Sequence, residues 1–180
     1  MDYTISTIAP IVLFPFIAFA INAFIARKAT KVAVFISCAA IALSSIWAIR
    51  IFKDFIFGNY STDHYVHKVF TWFDLNGAGI KFNVDMGIYI DNMTAIMLLM
   101  VTVVATLIHV FSTYYMKDDM NYGRDGRFFT YMSLFTSAML GLVLSDNLFS
   151  VFIFWELMGF CSYSLIGHYY EKEKAGDANV

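Results

Sequence analysis

The chain has 180 residues, 59% hydrophobic and 14% charged, with 12 basic and 14 acidic side chains and a formal net charge of -2. A soluble domain carries about a quarter charged residues, so this balance excludes an ordinary soluble globular domain, and lipid is the solvent that such an exterior implies. The small net charge gives no basic field for nucleic acid. With 10 Gly and 2 Pro the chain is neither collagen-like nor disordered, and Cys38 and Cys161 sit in separate apolar runs without disulfide or metal-ligand spacing.

A helix needs roughly 20 apolar residues to cross about 30 Å of hydrocarbon. Five runs approach that length, at 4–26, 32–49, 93–111, 128–144 and 147–170; only the last contains an acid. The first has no cationic region before it, since the first basic residue is Arg27, and it is longer than the apolar core of a signal peptide. It reads as a retained transmembrane helix. The fourth and fifth runs are separated only by Ser145 and Asp146, which forces an antiparallel helical pair and lets either residue cap the fifth helix. The fold class expected is therefore all-α, a polytopic transmembrane helix bundle formed by residues 1–180.

The stretch 53–91 is the only long polar connection. Within it VFTWFDL and AGIKFNV flank Asn76-Gly77, a pair that supplies the positive φ angles of a two-residue turn. The pattern predicts a short β-hairpin outside the bilayer, because strand edges at membrane depth leave backbone groups unsatisfied. Orientation follows from the cations. With the N-terminus outside, Arg27, Lys28, Lys31, Lys117, Arg124, Arg127, Lys172 and Lys174 fall inside, and Arg50, Lys53, Lys68 and Lys81 outside. Trp47, Tyr114, Tyr115, Tyr169 and Tyr170 lie near the expected helix ends, where aromatic rings form an interfacial belt.

The fifth run reads NLFSVFIFWELMGFCSYSLIGHYY, and its tenth residue is Glu156, close to the expected midplane. A charged side chain there costs on the order of 3 kcal/mol on insertion scales and turns toward protein or a hydrated cavity. Gly159 and Tyr163, at i+3 and i+7, share its helical face, one leaving space and the other offering a hydroxyl. The functional reading is a proton relay; the structural one is a carboxylic acid hydrogen-bonded between helices. His109, near the inner end of the third run, is either a proton shuttle or an interfacial residue. Asp91 directly precedes the third run, so a helix cap is favoured over a proton-path carboxylate, and Asp146 carries the same two readings. His168 reads as an interfacial residue, and the i, i+3 spacing of His64 and His67 is not a metal site. A phosphate loop, a CxxC pair, a haem histidine pair and a nucleophile triad are all missing from the sequence.

From His109 onward the motifs become specific: IHVFSTYYM, then RFFTYMSLFTSAMLGLVLSDNLFSVFIFWELMGFCSYSLIGHYY. They closely resemble the antiporter-like subunit L of bacterial NADH-quinone oxidoreductase, respiratory complex I, equivalent to its mitochondrial subunit five. The DNMTAIMLLM segment and the hairpin agree more loosely. The resemblance implies a proton-translocating membrane-arm subunit of a bacterial inner (plasma) membrane, with other membrane-arm subunits of complex I and the lipid bilayer as partners and no nucleic acid. It implies no cofactor in this chain; NADH, flavin, iron-sulfur clusters and quinone belong to other subunits. Glu156 matches the glutamate of the family's fifth transmembrane helix, which pairs with a lysine on a discontinuous seventh helix beyond this chain. Family members are several times longer, which implies an N-terminal fragment. Two other readings stand beside this one: the large subunit of a multi-subunit sodium/proton antiporter, which shares the SDNLF and FWE pattern, and an inert structural membrane fragment.

Overall fold

The computed structural model describes residues 5–25, 29–58, 65–77, 80–116 and 125–169. Along the chain these form α1 (Ile5–Ile25), α2 (Thr30–Phe57), β1 (Tyr65–Gly77), β2 (Ile80–Ile90), α3 (Asn92–Tyr115), α4 (Asp125–Val143) and α5 (Leu148–Ile166), followed by a 3-10 turn over Gly167–Tyr169. The architecture is a helix bundle with one two-stranded antiparallel sheet. Among the described residues, four helices, α1, α2, α3 and α5, are long and apolar enough to cross a membrane. Together they make the chain a multi-pass membrane protein.

Helix α4 is the exception in composition because it is the centre of the bundle, packed against each of the other four helices. Its buried residues include Phe129, Leu134 and Leu140 but also Thr130, Ser133, Thr136 and Ser137. A helix with protein on all sides needs no lipid-matched face, and small hydroxylated residues let neighbouring backbones approach. Thr130 and Thr136 donate to the carbonyls four residues back, at 2.6 and 2.9 Å. Ser137 donates across to the Val12 carbonyl of α1 at 3.1 Å.

Pro10 and Pro15 lie inside α1. Pro15 lacks the N–H that an uninterrupted helix would give to the Ile11 carbonyl. The Ser44 hydroxyl of α2 donates to that carbonyl at 2.9 Å, so the backbone group is satisfied without water. One turn further along α2, Trp47 Nε1 donates to the Thr7 carbonyl at 2.6 Å and its ring meets Phe14 edge-on. Trp47 thus ties α2 to the first turn of α1.

The second helix corrects the expected boundaries. It does not stop at Ile49 but runs eight residues further to Phe57, taking in Arg50, Lys53 and Asp54, which the sequence had placed at or beyond its end. Ile51 and Phe55, one turn apart, are fully buried, so an amphipathic stripe continues after the uninterrupted apolar run ends. Arg50 lies over the Trp47 ring at 5.7 Å, which accommodates its charge on the helix surface. A cation ends a hydropathy run; it does not end a helix.

The hairpin register also differs from the expected one. Gly77 pairs with Ile80 and Asn76 with Lys81, so Asn76-Gly77 belongs to β1 and is not the two-residue turn; positions 78 and 79 lie outside the described residues. Register shifts between Lys68 and Phe70 and between Thr71 and Phe73 leave Val69 and Trp72 as extra residues on β1. Register is set by the whole cross-strand pattern and its bulges, which outweigh one local turn signal.

The apolar core sits at the hairpin end, where Ile8, Ile11, Ile51, Phe55, Ile90, Leu98 and Leu140 cluster. Between α2 and α3, Ser45 donates to the Thr102 carbonyl at 3.0 Å and lies 2.7 Å from Thr106 Oγ1.

Candidate functional site

Glu156 is carried by the helix least enclosed by the chain. Within the membrane-length window of α5 only 11% of residues are buried, and its main helix contact is α4. The packed side is defined by Ser150 and Cys161, both buried, and by Phe154, which occupies the space left by the missing side chain of Gly141. Successive residues turn by about 100°, so Glu156 lies about 200° around the helix from Phe154. It is exposed, next to Trp155 at 65% exposure, and Tyr163 on the same side is 60% exposed. A Cβ added at Gly159 would meet nothing within 4 Å. The open side of α5 therefore presents a carboxylate, a phenol and a glycine gap from one helix.

Asp91 and Asp146 come to a different place, the hairpin end of the bundle. Asp91 is the N-cap of α3: its Oδ1 accepts the Thr94 N–H at 2.8 Å and its Oδ2 the Tyr89 hydroxyl at 3.2 Å. Burial works to raise the Asp91 pKa, but the hydrogen bonds from Thr94, Tyr89 and the Met93 backbone outweigh it and hold the carboxyl below its usual range. The same charge pushes the Tyr89 phenol up. Asp146 joins the α4–α5 link to β2, its Oδ1 accepting the Gly87 N–H at 3.1 Å. Asn147 caps α5 by accepting the Ser150 N–H at 2.8 Å and donates to the Asp85 carbonyl at 2.6 Å. Lys68 lies 2.6 Å from Asp85 across the hairpin, and this hydrogen bond is the largest cause that lowers the Asp85 pKa.

His109 is neither at the hairpin end nor on the open side of α5. It is 1% exposed on α3, with Nδ1 2.8 Å from the Ala105 carbonyl and its ring centroid 6.3 Å from that of Phe129. The sequence-predicted site residues thus occupy three separate places. His168, in the final 3-10 turn, stacks edge-on with Phe128, and His64 lies outside the described residues. Sequence reasoning passed over the buried polar residues Asn22, Ser37 and Ser133; the available signal was Asn22, an amide inside an apolar run.

Residues 72–129, from the hairpin into α4, match the family described as NADH-Ubiquinone oxidoreductase (complex I), chain 5 N-terminus. The chain is 36% identical over 168 residues to NADH-quinone oxidoreductase subunit L of Buchnera aphidicola, covering 89% of this chain and 25% of the relative. It is 36% identical over 191 residues to the chloroplastic NAD(P)H-quinone oxidoreductase subunit 5 of Physcomitrium patens, covering 99% of this chain and 24% of the relative. A third similarity, 50% over 98 residues, is to NAD(P)H-quinone oxidoreductase chain 5 of a Synechocystis strain, covering 54% of this chain and 14% of the relative. The chain thus spans at most about a quarter of the length of these relatives. Among solved structures, a chain of the membrane-bound sulfane sulfur reductase, an archaeal respiratory membrane complex, superposes with a TM-score of 0.68 at 18% identity, covering 95% of this chain and 32% of that one. That likeness carries the fold.

Proposed function

The chain belongs to the subunit 5/L family of NAD(P)H-quinone oxidoreductases, and from that premise we propose that it forms part of a proton-translocating membrane-arm subunit in which Glu156 binds and releases the proton. The observation that carries this reading is the direction of Glu156. Among the described residues it faces away from α4, the helix that α5 packs against extensively, on a segment otherwise uncharged, and lipid is an expensive neighbour for a carboxylate. The open side with Gly159 and Tyr163 is shaped to receive another protein element. A later helix of the same polypeptide, carrying the lysine that the family resemblance implies, is the occupant we assign to it. Electron transfer belongs to other subunits of the complex. We place the N-terminus outside a bacterial inner membrane, the orientation that the distribution of cations along the sequence favours.

Two substitutions in the assembled complex separate ionisation from packing. Glu156→Gln keeps shape and hydrogen-bonding capacity but cannot exchange a proton, whereas Glu156→Asp keeps ionisation on a shorter stem. We expect the glutamine variant to assemble and lose most proton translocation, and the aspartate variant to retain an intermediate level, both read as protons moved per electron. A glutamine variant pumping at the parental ratio would return Glu156 to a structural role.

A further inference from the structure

At the end of the bundle away from the hairpin, helices α1 to α4 enclose a polar cluster. Asn22 is fully buried and its Nδ2 donates to the Ala33 carbonyl at 3.1 Å and to Ser37 Oγ at 2.8 Å. Ser133 Oγ donates to Ser37 Oγ at 2.9 Å, and Ser37 in turn to the Phe129 carbonyl at 3.3 Å. His109 packs beside the Phe129 ring, and the Cys38 thiol reaches the His109 carbonyl at 3.9 Å. Two side-chain atoms in this cluster are buried without a protein partner among the described residues: Asn22 Oδ1 and His109 Nε2.

The chemistry of the two atoms defines what complements them. A carbonyl only accepts, so His109 Nδ1 carries the proton shared with Ala105, and Nε2 of the neutral ring presents a lone pair. Asn22 uses its amide nitrogen as the donor, which leaves Oδ1 as an acceptor. Two acceptors cannot satisfy one another, and the Ser37 and Ser133 hydroxyl protons are directed to acceptors of their own. The named side chains include no carboxylate, so a metal cation placed among them would be uncompensated. The ligand that fits is a small neutral donor, and within a packed protein that is water. We propose that the α1–α4 junction is a water-binding site, in which water donates to His109 Nε2 and Asn22 Oδ1 and makes His109 a proton-exchanging group shielded from lipid. The site is separate from Glu156 and does not depend on the role assigned to that residue.

Hydroxyl-radical footprinting by X-ray radiolysis, read by mass spectrometry on the protein in its native membrane, tests it, because radicals form at bound water and modify adjacent rings. Phe129 and Phe55 are both 0% exposed and both lie near a helix end, Phe129 beside the cluster and Phe55 in the apolar core. We expect Phe129 and His109 to be modified severalfold faster than Phe55; a Phe129 as protected as Phe55 would overturn the site. Asn22→Leu removes one acceptor and should lower modification of Phe129 severalfold. Unchanged modification in the folded variant would mean that bulk solvent reaches the ring, and would also overturn it. If that variant does not accumulate, the comparison of Phe129 with Phe55 in the unaltered protein decides.

Discussion

Asp91 ties three neighbours together with one carboxylate, accepting from the backbones of Met93 and Thr94 and from the Tyr89 hydroxyl. Its folded pKa lies below the ordinary carboxyl value, so its contribution to stability is fully present above that value and is lost as pH falls through the lowered one. Asp91→Ala should cost about 1 kcal/mol near neutral pH, as for the loss of a helix N-cap, with the difference from the parent shrinking in acid. Asp91→Asn should cap nearly as well while contributing no such acid dependence. Thermal unfolding in detergent across pH reads both. An alanine variant as stable as the parent at neutral pH would show that the cap carries no weight. The sequence position of Asp91, one residue ahead of α3, was enough to favour this role; the Tyr89 contact was invisible because it depends on where β2 ends.

The hairpin and the α4–α5 link behave as one element. The Tyr89 N–H donates to the Leu144 carbonyl at 2.9 Å, Ile88 forms a bridge with Ser145, and Asp146 holds the Gly87 N–H. Farther out, Trp72 meets Phe149 edge-on at 5.4 Å, placing a hairpin ring against the first turns of α5. Gly87 permits the close approach: a Cβ there would collide with the Asp146 carboxylate and lie 3.1 Å from the His67 carbonyl. Gly87→Ala should therefore displace Asp146 and destabilise the protein by about 1–3 kcal/mol, in the range for overpacking. Limited proteolysis should then cut the hairpin faster. Asp146→Ala removes the obstructing carboxylate, so the double variant should be little worse than Asp146→Ala alone. Strictly additive effects would remove the clash as the explanation.

For the whole molecule, the contacts place the hairpin and the α4–α5 link at one end of the bundle. The Asn22–Ser37–Phe129 cluster, with His109, lies at the other. Single cysteines at Asn76 and Asn121, in a background lacking Cys38 and Cys161, should therefore react from opposite faces of the membrane. With the orientation proposed above, an impermeant thiol reagent added to intact cells should label position 76 and spare 121. The reverse pattern would invert the assignment while leaving the fold intact.

Lipid as the surrounding solvent, five helical segments, a hairpin between the second and third, and Glu156 as the one acid of the fifth run were all determined by the sequence, because each rests on local composition and periodicity. What only the tertiary structure decided is non-local. The extension of α2 depends on Ile51 and Phe55 finding the core beneath the hairpin, and the strand register on the bulges at Val69 and Trp72. The central place of α4 emerged only when its hydroxyls were seen to face neighbouring helices. The outward aim of Glu156 likewise follows from which side of α5 meets Gly141, a choice between two surfaces about half a turn apart that the apolar run itself does not distinguish.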